Sequence, residues 1–170
     1  MPSATVRRAM TAGALTAAFA LSLSVAASAT ATAQDEDIVR MQFTGYTTND
    51  TAPRFISAGK SWTTYLDLYT HPKKKFAGDA SSRCTAIEAE NSLWAAIGGD
   101  SFRLTTQCSR VLRLKDGTIS LHDTITREGK KAITAKTAIV GGTGLYNDAE
   151  GEGYITLKGD EVHFDLHVDD

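Results

Sequence analysis

The chain has few of the residues that carry recognisable chemistry. It holds two cysteines and four histidines in 170 residues. The histidines (His71, His122, His163 and His167) form no tight cluster, and the spacing of Cys84 and Cys108 does not suit zinc. No metal site and no cofactor are expected. Gly-x-Ser-x-Gly, His-Glu-x-x-His and the full phosphate-loop pattern Gly-x-x-x-x-Gly-Lys-Ser/Thr are all missing. The common nucleophile, metal-triad and phosphate-loop chemistries therefore have no footing here. Internal repeats and low-complexity stretches are also missing after the first thirty-odd residues.

Long apolar runs are confined to one place. Residues 9–27 are almost all Ala, Leu, Val, Thr, Ser, Met and Phe, preceded by Arg7 and Arg8 and followed by Ala-Ser-Ala-Thr-Ala-Thr-Ala at 27–33. A positive start, an apolar middle and small residues at the cut predict a cleaved secretory signal over residues 1–33. A membrane anchor is the alternative, disfavoured by an Ala-rich run that ends in small residues rather than a basic stop. Thr-Val-Arg-Arg-Ala-Met lacks the rest of a twin-arginine pattern, which favours the general secretory route. Residues 34–170 then form one domain, long enough for a real core.

Without Arg7 and Arg8, that domain carries 16 basic residues against 20 acidic ones, a net charge of −4. This balance does not favour nucleic acid or anionic membranes. The one basic run, Lys73-Lys74-Lys75, stands between Pro72 and Gly78 and reads as a solvated loop rather than a binding patch. In a secreted chain two cysteines most simply form one disulfide, so Cys84 and Cys108 are expected to pair.

What is present is β pattern throughout. Candidate strands are Ile38–Tyr46, Trp62–Thr70, Ala80–Ala89, Phe102–Leu114, Thr118–Arg127, Ile133–Gly141, Gly153–Lys158 and Glu161–Val168. In the last, Val162, Phe164, Leu166 and Val168 alternate with His163, Asp165 and His167, the period of a half-buried strand. Lys115-Asp116-Gly117, Glu128-Gly129-Lys130 and Lys158-Gly159-Asp160 are short turns that join antiparallel neighbours. Thr47–Lys60 reads as a long loop crossing one end. Asn91–Asp100 suits either a helical turn or a longer strand. Eight strands with short loops leave a sandwich or an up-and-down, calycin-like barrel. No strand looks like a charged, shortened edge, which favours the closed barrel.

The stretch AIVGGTGLYNDAEGEGYITL, residues 138–157, sets a glycine cluster after a strand. A phosphate loop would need a following helix. Here more glycines and several acids follow. Gly141, Gly142 and Gly144 are therefore expected to turn a sharp corner in a sheet.

This stretch resembles a segment of dirigent and allene oxide cyclase-like proteins, in which an apolar strand leads to Gly-Gly-Thr-Gly, an aromatic and Ala-Arg-Gly. YLDLYT with FAGDASSRC, and CSRVLRLKDGTISLHD, are similar to further pieces of the family. The resemblance spans Tyr65 to Val168. It implies an eight-stranded antiparallel barrel whose cavity shapes a small, mostly apolar molecule. Family members include cyclases of epoxide fatty acids, proteins steering phenolic radical coupling, and bacterial polyketide cyclases. Plant members often form trimers, so a homo-oligomer is one implied state. The family's Ala-Arg-Gly is Ala149-Glu150-Gly151 here, with Leu145 and Tyr146 where the family has its aromatic. The lost cation means that radical-coupling guidance does not carry over to Glu150. Asp67 matches an acid common in the family.

Candidate site residues follow from strand parity. Thr63, Tyr65, Asp67 and Tyr69 share one face of their strand and Trp62, Thr64, Leu66 and Leu68 the other. The first set is either a cavity wall with an acid–base group or an outer face covered by tyrosines. Asp67, Tyr65 and Asp123 are the catalytic candidates; Tyr69, Trp62 and Tyr146 are the ligand-binding ones. Asp123 shares parity with Ile119, Leu121 and Ile125; if inward, it needs a partner such as Arg40 or Arg110. The alternative is a wet position at the rim. Tyr146 either closes a mouth or simply packs. Three functions stay open: a secreted barrel that binds or conformationally steers a small apolar molecule, an isomerase or cyclase, and a non-catalytic structural or partner-binding barrel.

Overall fold

The structure, a computed structural model, describes residues 38–91 and 102–169. Residues 1–37, which include the expected signal, together with residues 92–101 and 170, lie outside the described residues, and of the segment 91–100 only Asn91, which ends a strand, is described.

Eight strands follow one another: β1 (Ile38–Asp50), β2 (Ser61–Thr70), β3 (Phe76–Asn91), β4 (Phe102–Leu114), β5 (Gly117–Glu128), β6 (Ile133–Gly144), β7 (Glu150–Lys158) and β8 (Glu161–Asp169). Each pairs antiparallel with the next, and β8 returns to β1, closing the barrel. The fold is all-β, an up-and-down barrel with one disulfide. Closure removes the edge strands that would otherwise invite pairing between chains.

Several strands outrun their apolar alternation because backbone pairing continues past it. β1 does not stop at Tyr46: after a bulge between Thr47 and Asn49 it still pairs Asn49 with Tyr65 and Asp50 with Thr64. The expected loop from Thr47 is thus shortened to residues 51–60. β3 starts at Phe76, β6 continues through the glycines to Gly144, and β7 starts at Glu150.

The glycine stretch lies in the second half of β6. A bulge opposite Ser120 and Leu121 skips Val140, with Gly141 at φ 132°. At Gly142 a Cβ would run into the backbone oxygens of Thr118 and Tyr146. The chain then turns through residues 145–149, where Tyr146 packs on the core and Ala149 is buried.

The interior divides into two clusters. The larger fills the end capped by residues 71–75, 115–116 and 145–149. Leu68, Leu112, Ile119, Leu121, Ile155 and Leu166 are wholly buried there. Burying each such side chain contributes about 1.5–3 kcal/mol. The smaller cluster lies toward the opposite end and joins Trp62, Cys84, Ala86, Leu104 and Cys108, with Ala52 and Ile56 of the 51–60 loop packed on it. Two backbone bonds pin that loop, from Gly59 N–H to the Ala86 carbonyl (2.8 Å) and from Ala86 N–H to the Lys60 carbonyl (2.9 Å). Arg110, Asp123, Ser82 and Thr106 are buried polar residues on the inward parity of β3, β4 and β5.

Candidate functional site

Strand register builds the site. Trp62 faces Cys84, Cys84 faces Cys108, and Cys108 faces Asp123, a single row across β2, β3, β4 and β5. In a neighbouring row Thr64 faces Ser82, and Ser82 faces Arg110. Side chains at alternate positions share a face, so both rows point inward. Cys84 and Cys108 stand directly opposite each other, with Cα atoms 4.1 Å apart, and form the disulfide.

Arg110 reaches diagonally to Asp123. Its Nε donates to Oδ2 at 2.6 Å and its Nη2 to Oδ1 at 3.1 Å, while Nη1 donates to Ser82 Oγ at 3.0 Å. The Arg110 side chain is 6% exposed and that of Asp123 0%. Two buried charges are tolerated when each satisfies the other with good geometry. Both Asp123 oxygens accept from Arg110 and the side chain is fully buried, so this carboxylate orients the guanidinium.

These rows open on a cavity of about 130 Å³. Trp62, Leu66, Val162 and the disulfide give it apolar walls; Ser82, Thr106, Arg110 and Arg127 give it polar ones, with Asp50 and Ala52 at the 51–60 loop. Arg127 shares the inward parity of Asp123 and Ile125 and sits 5.7 Å above the Phe102 ring. Burial pulls its guanidinium below the usual arginine value, and the Asp50 carboxylate acts the other way. Asp50 itself is tied to the loop: its Oδ1 accepts the Ala52 N–H at 2.9 Å and the Thr64 hydroxyl at 3.3 Å. Beside Arg127 the barrel wall loosens, because the β5–β6 ladder ends at His122 and Ala138. Thr137, buried just past that point, donates to the His122 carbonyl at 3.2 Å.

The structure brings together two of the residues singled out from sequence, Trp62 and Asp123, and separates the others. Of the partners considered for Asp123, Arg110 is the one; Arg40 lies on the outer face, bonded to Asp165. Tyr65, Asp67 and Tyr69 point outward, Tyr65 being 45% exposed. They do not line the cavity, because Trp62, Leu66 and Leu68 on the opposite parity take the interior. Outside, Tyr46, Tyr69 and Phe76 form an edge-to-face row with centroids 5.7 and 5.8 Å apart. Tyr146 and the glycine corner lie at the other end of the barrel, away from the cavity. Arg110 and Arg127 complete the cavity. For Arg127 the available signal was its parity with Asp123, masked by the neighbouring turn residues. Among the described residues no group of three His, Cys, Asp or Glu side chains is placed to hold a metal ion.

No protein-family model matches the chain, and no curated protein matches it. Among solved structures it is similar to a pyocyanin demethylase, with a TM-score of 0.54 and 19% sequence identity. The match covers 76% of this chain and 99% of that one. At this identity the likeness shows a shared fold.

Proposed function

We propose that the protein is an exported barrel of the dirigent and allene oxide cyclase-like kind that binds a small, mostly apolar molecule in the Trp62 cavity. The observation that carries this reading is the cavity itself. The apolar filling stops short of the Trp62 end and leaves a pocket with one aromatic wall and an arginine held rigid by Asp123. Small-molecule sites commonly combine apolar walls with a few fixed polar groups. The similarity to a protein named as acting on pyocyanin is compatible with such a ligand. Binding is favoured over isomerase or cyclase chemistry because the Asp123 carboxylate is buried against Arg110 and does not border the pocket. The Cys84–Cys108 disulfide is consistent with an extracellular location, and the sequence of residues 1–33 supplies the export route.

The test is a native mass spectrum of the protein recovered from culture medium, followed by denaturing release. We expect a chain beginning at Gln34, carrying a small molecule that Trp62→Leu loses. Identical native and denatured masses, with no thermal shift from any of a panel of single-ring compounds, contradict the reading.

A further inference from the structure

We propose that the cavity selects a single aromatic ring bearing one anionic group, with Arg127 taking the anion and Trp62 meeting the ring. This rests on the reading of the cavity as a small-molecule site and specifies its ligand. Size comes first. A dry apolar cavity of about 150 Å³ takes benzene, so about 130 Å³ accommodates one ring and little more. The Trp62 indole and the disulfide supply apolar surface for that ring.

Charge decides the rest. An arginine offers five N–H donors and stays protonated in proteins. Arg110 spends two on Asp123 and one on Ser82, leaving two on a side chain that borders the cavity. Arg127 borders the same space, and among the described residues no carboxylate lies within ion-pairing distance of it. It lies over the Phe102 ring. Asp50 is close enough to be felt but is tied to Ala52 and Thr64. The cavity is thus bordered by two guanidinium groups, one paired with the buried Asp123 carboxylate behind it, and by Asp50, whose carboxylate is hydrogen-bonded to the loop and not to Arg127. A half-buried guanidinium gains from a directly bonded anion, and a planar carboxylate or phenolate edge matches the fork geometry of arginine. A neutral ring would leave Arg127 as it stands.

Benzoate and benzamide, which differ in charge but hardly in shape, test this when titrated into the exported protein with amide shifts as the readout. Benzoate is expected to bind roughly tenfold or more tightly than benzamide, as charge-assisted bonds exceed neutral ones. Arg127→Gln brings benzoate down to the benzamide affinity, and Arg127→Lys retains part of the preference. Equal binding of the two by the unsubstituted protein overturns the inference and leaves the cavity as a ligand site. Binding of neither, with the Trp62 resonances unmoved, overturns the inference together with the functional reading beneath it. The unsubstituted comparison decides the matter even if Arg127→Gln fails to fold.

Discussion

Arg110 holds Asp123 by two parallel hydrogen bonds, at 2.6 and 3.1 Å, inside a barrel that exposes almost none of either side chain. Removing one member strands the other without a partner. Asp123→Ala is therefore expected to cost about 3–5 kcal/mol in urea unfolding. Replacing both, as Arg110→Met with Asp123→Leu, avoids the stranded charge and is expected to cost far less. A double substitution as damaging as the single one would contradict the assignment of this pair as mutually compensating.

Gly142 is fixed by steric exclusion. Its missing side chain is the space occupied by the Thr118 and Tyr146 carbonyls. Gly142→Ala forces backbone apart and is expected to cost about 3 kcal/mol or more. Gly59 has nothing within reach of a Cβ, and only its φ of 83° resists substitution. Gly59→Ala should then cost about 1 kcal/mol. Thermal unfolding of the two variants under one buffer condition checks the ranking.

The disulfide closes a loop with a sequence separation of 24. The chain-entropy estimate for such a loop is about 3 kcal/mol. Reduction should lower stability by that order while leaving the strand register in place. Intact mass should show two alkylations only when reduction precedes thiol alkylation. Two alkylations without reduction would contradict the bridge.

Acid should weaken the β1–β8 seam. The Arg40 guanidinium, bonded to Asp165 at 2.7 and 2.6 Å, holds that carboxyl below the usual aspartate value. A depressed folded-state pKa contributes stability above the unfolded value, and that contribution is lost as pH falls through the folded one. The loss therefore begins below about pH 4, where free aspartate titrates. Arg40→Gln should move the Asp165 carboxyl upward in a carbon-detected NMR titration and flatten the acid limb of stability. An unchanged Asp165 midpoint would show that Arg40 is not its main partner.

Much of the barrel was legible in the residues. Alternation from Val162 to Val168 names the buried face of β8, and the structure buries those four side chains. The disulfide follows from there being only two cysteines. It also fixes the register of β3 on β4, which sets Trp62 and Asp123 in one row. Parity could divide β2 into two faces but could not orient them. Tyr65 and Tyr69 are apolar enough to suggest a wall, yet their hydroxyls gain by staying wet. The cavity itself was not legible. It exists because side chains from seven strands and the 51–60 loop, distant in sequence, do not fill the space between two clusters. No local pattern reports such a shortfall in volume.

The most direct test of a ligand cavity at the Trp62 end is an amide-shift map recorded while a bound small molecule is added to the ligand-free protein. The account predicts that the perturbed amides centre on Trp62, Ser82, Cys108, Arg110 and Arg127. Affinity should fall about tenfold in Trp62→Leu, as expected for loss of a buried aromatic contact, and hold in Tyr65→Phe and Asp67→Asn. Shifts centred on Tyr146 and the glycine corner, or on the outer row of Tyr46, Tyr69 and Phe76, would contradict it.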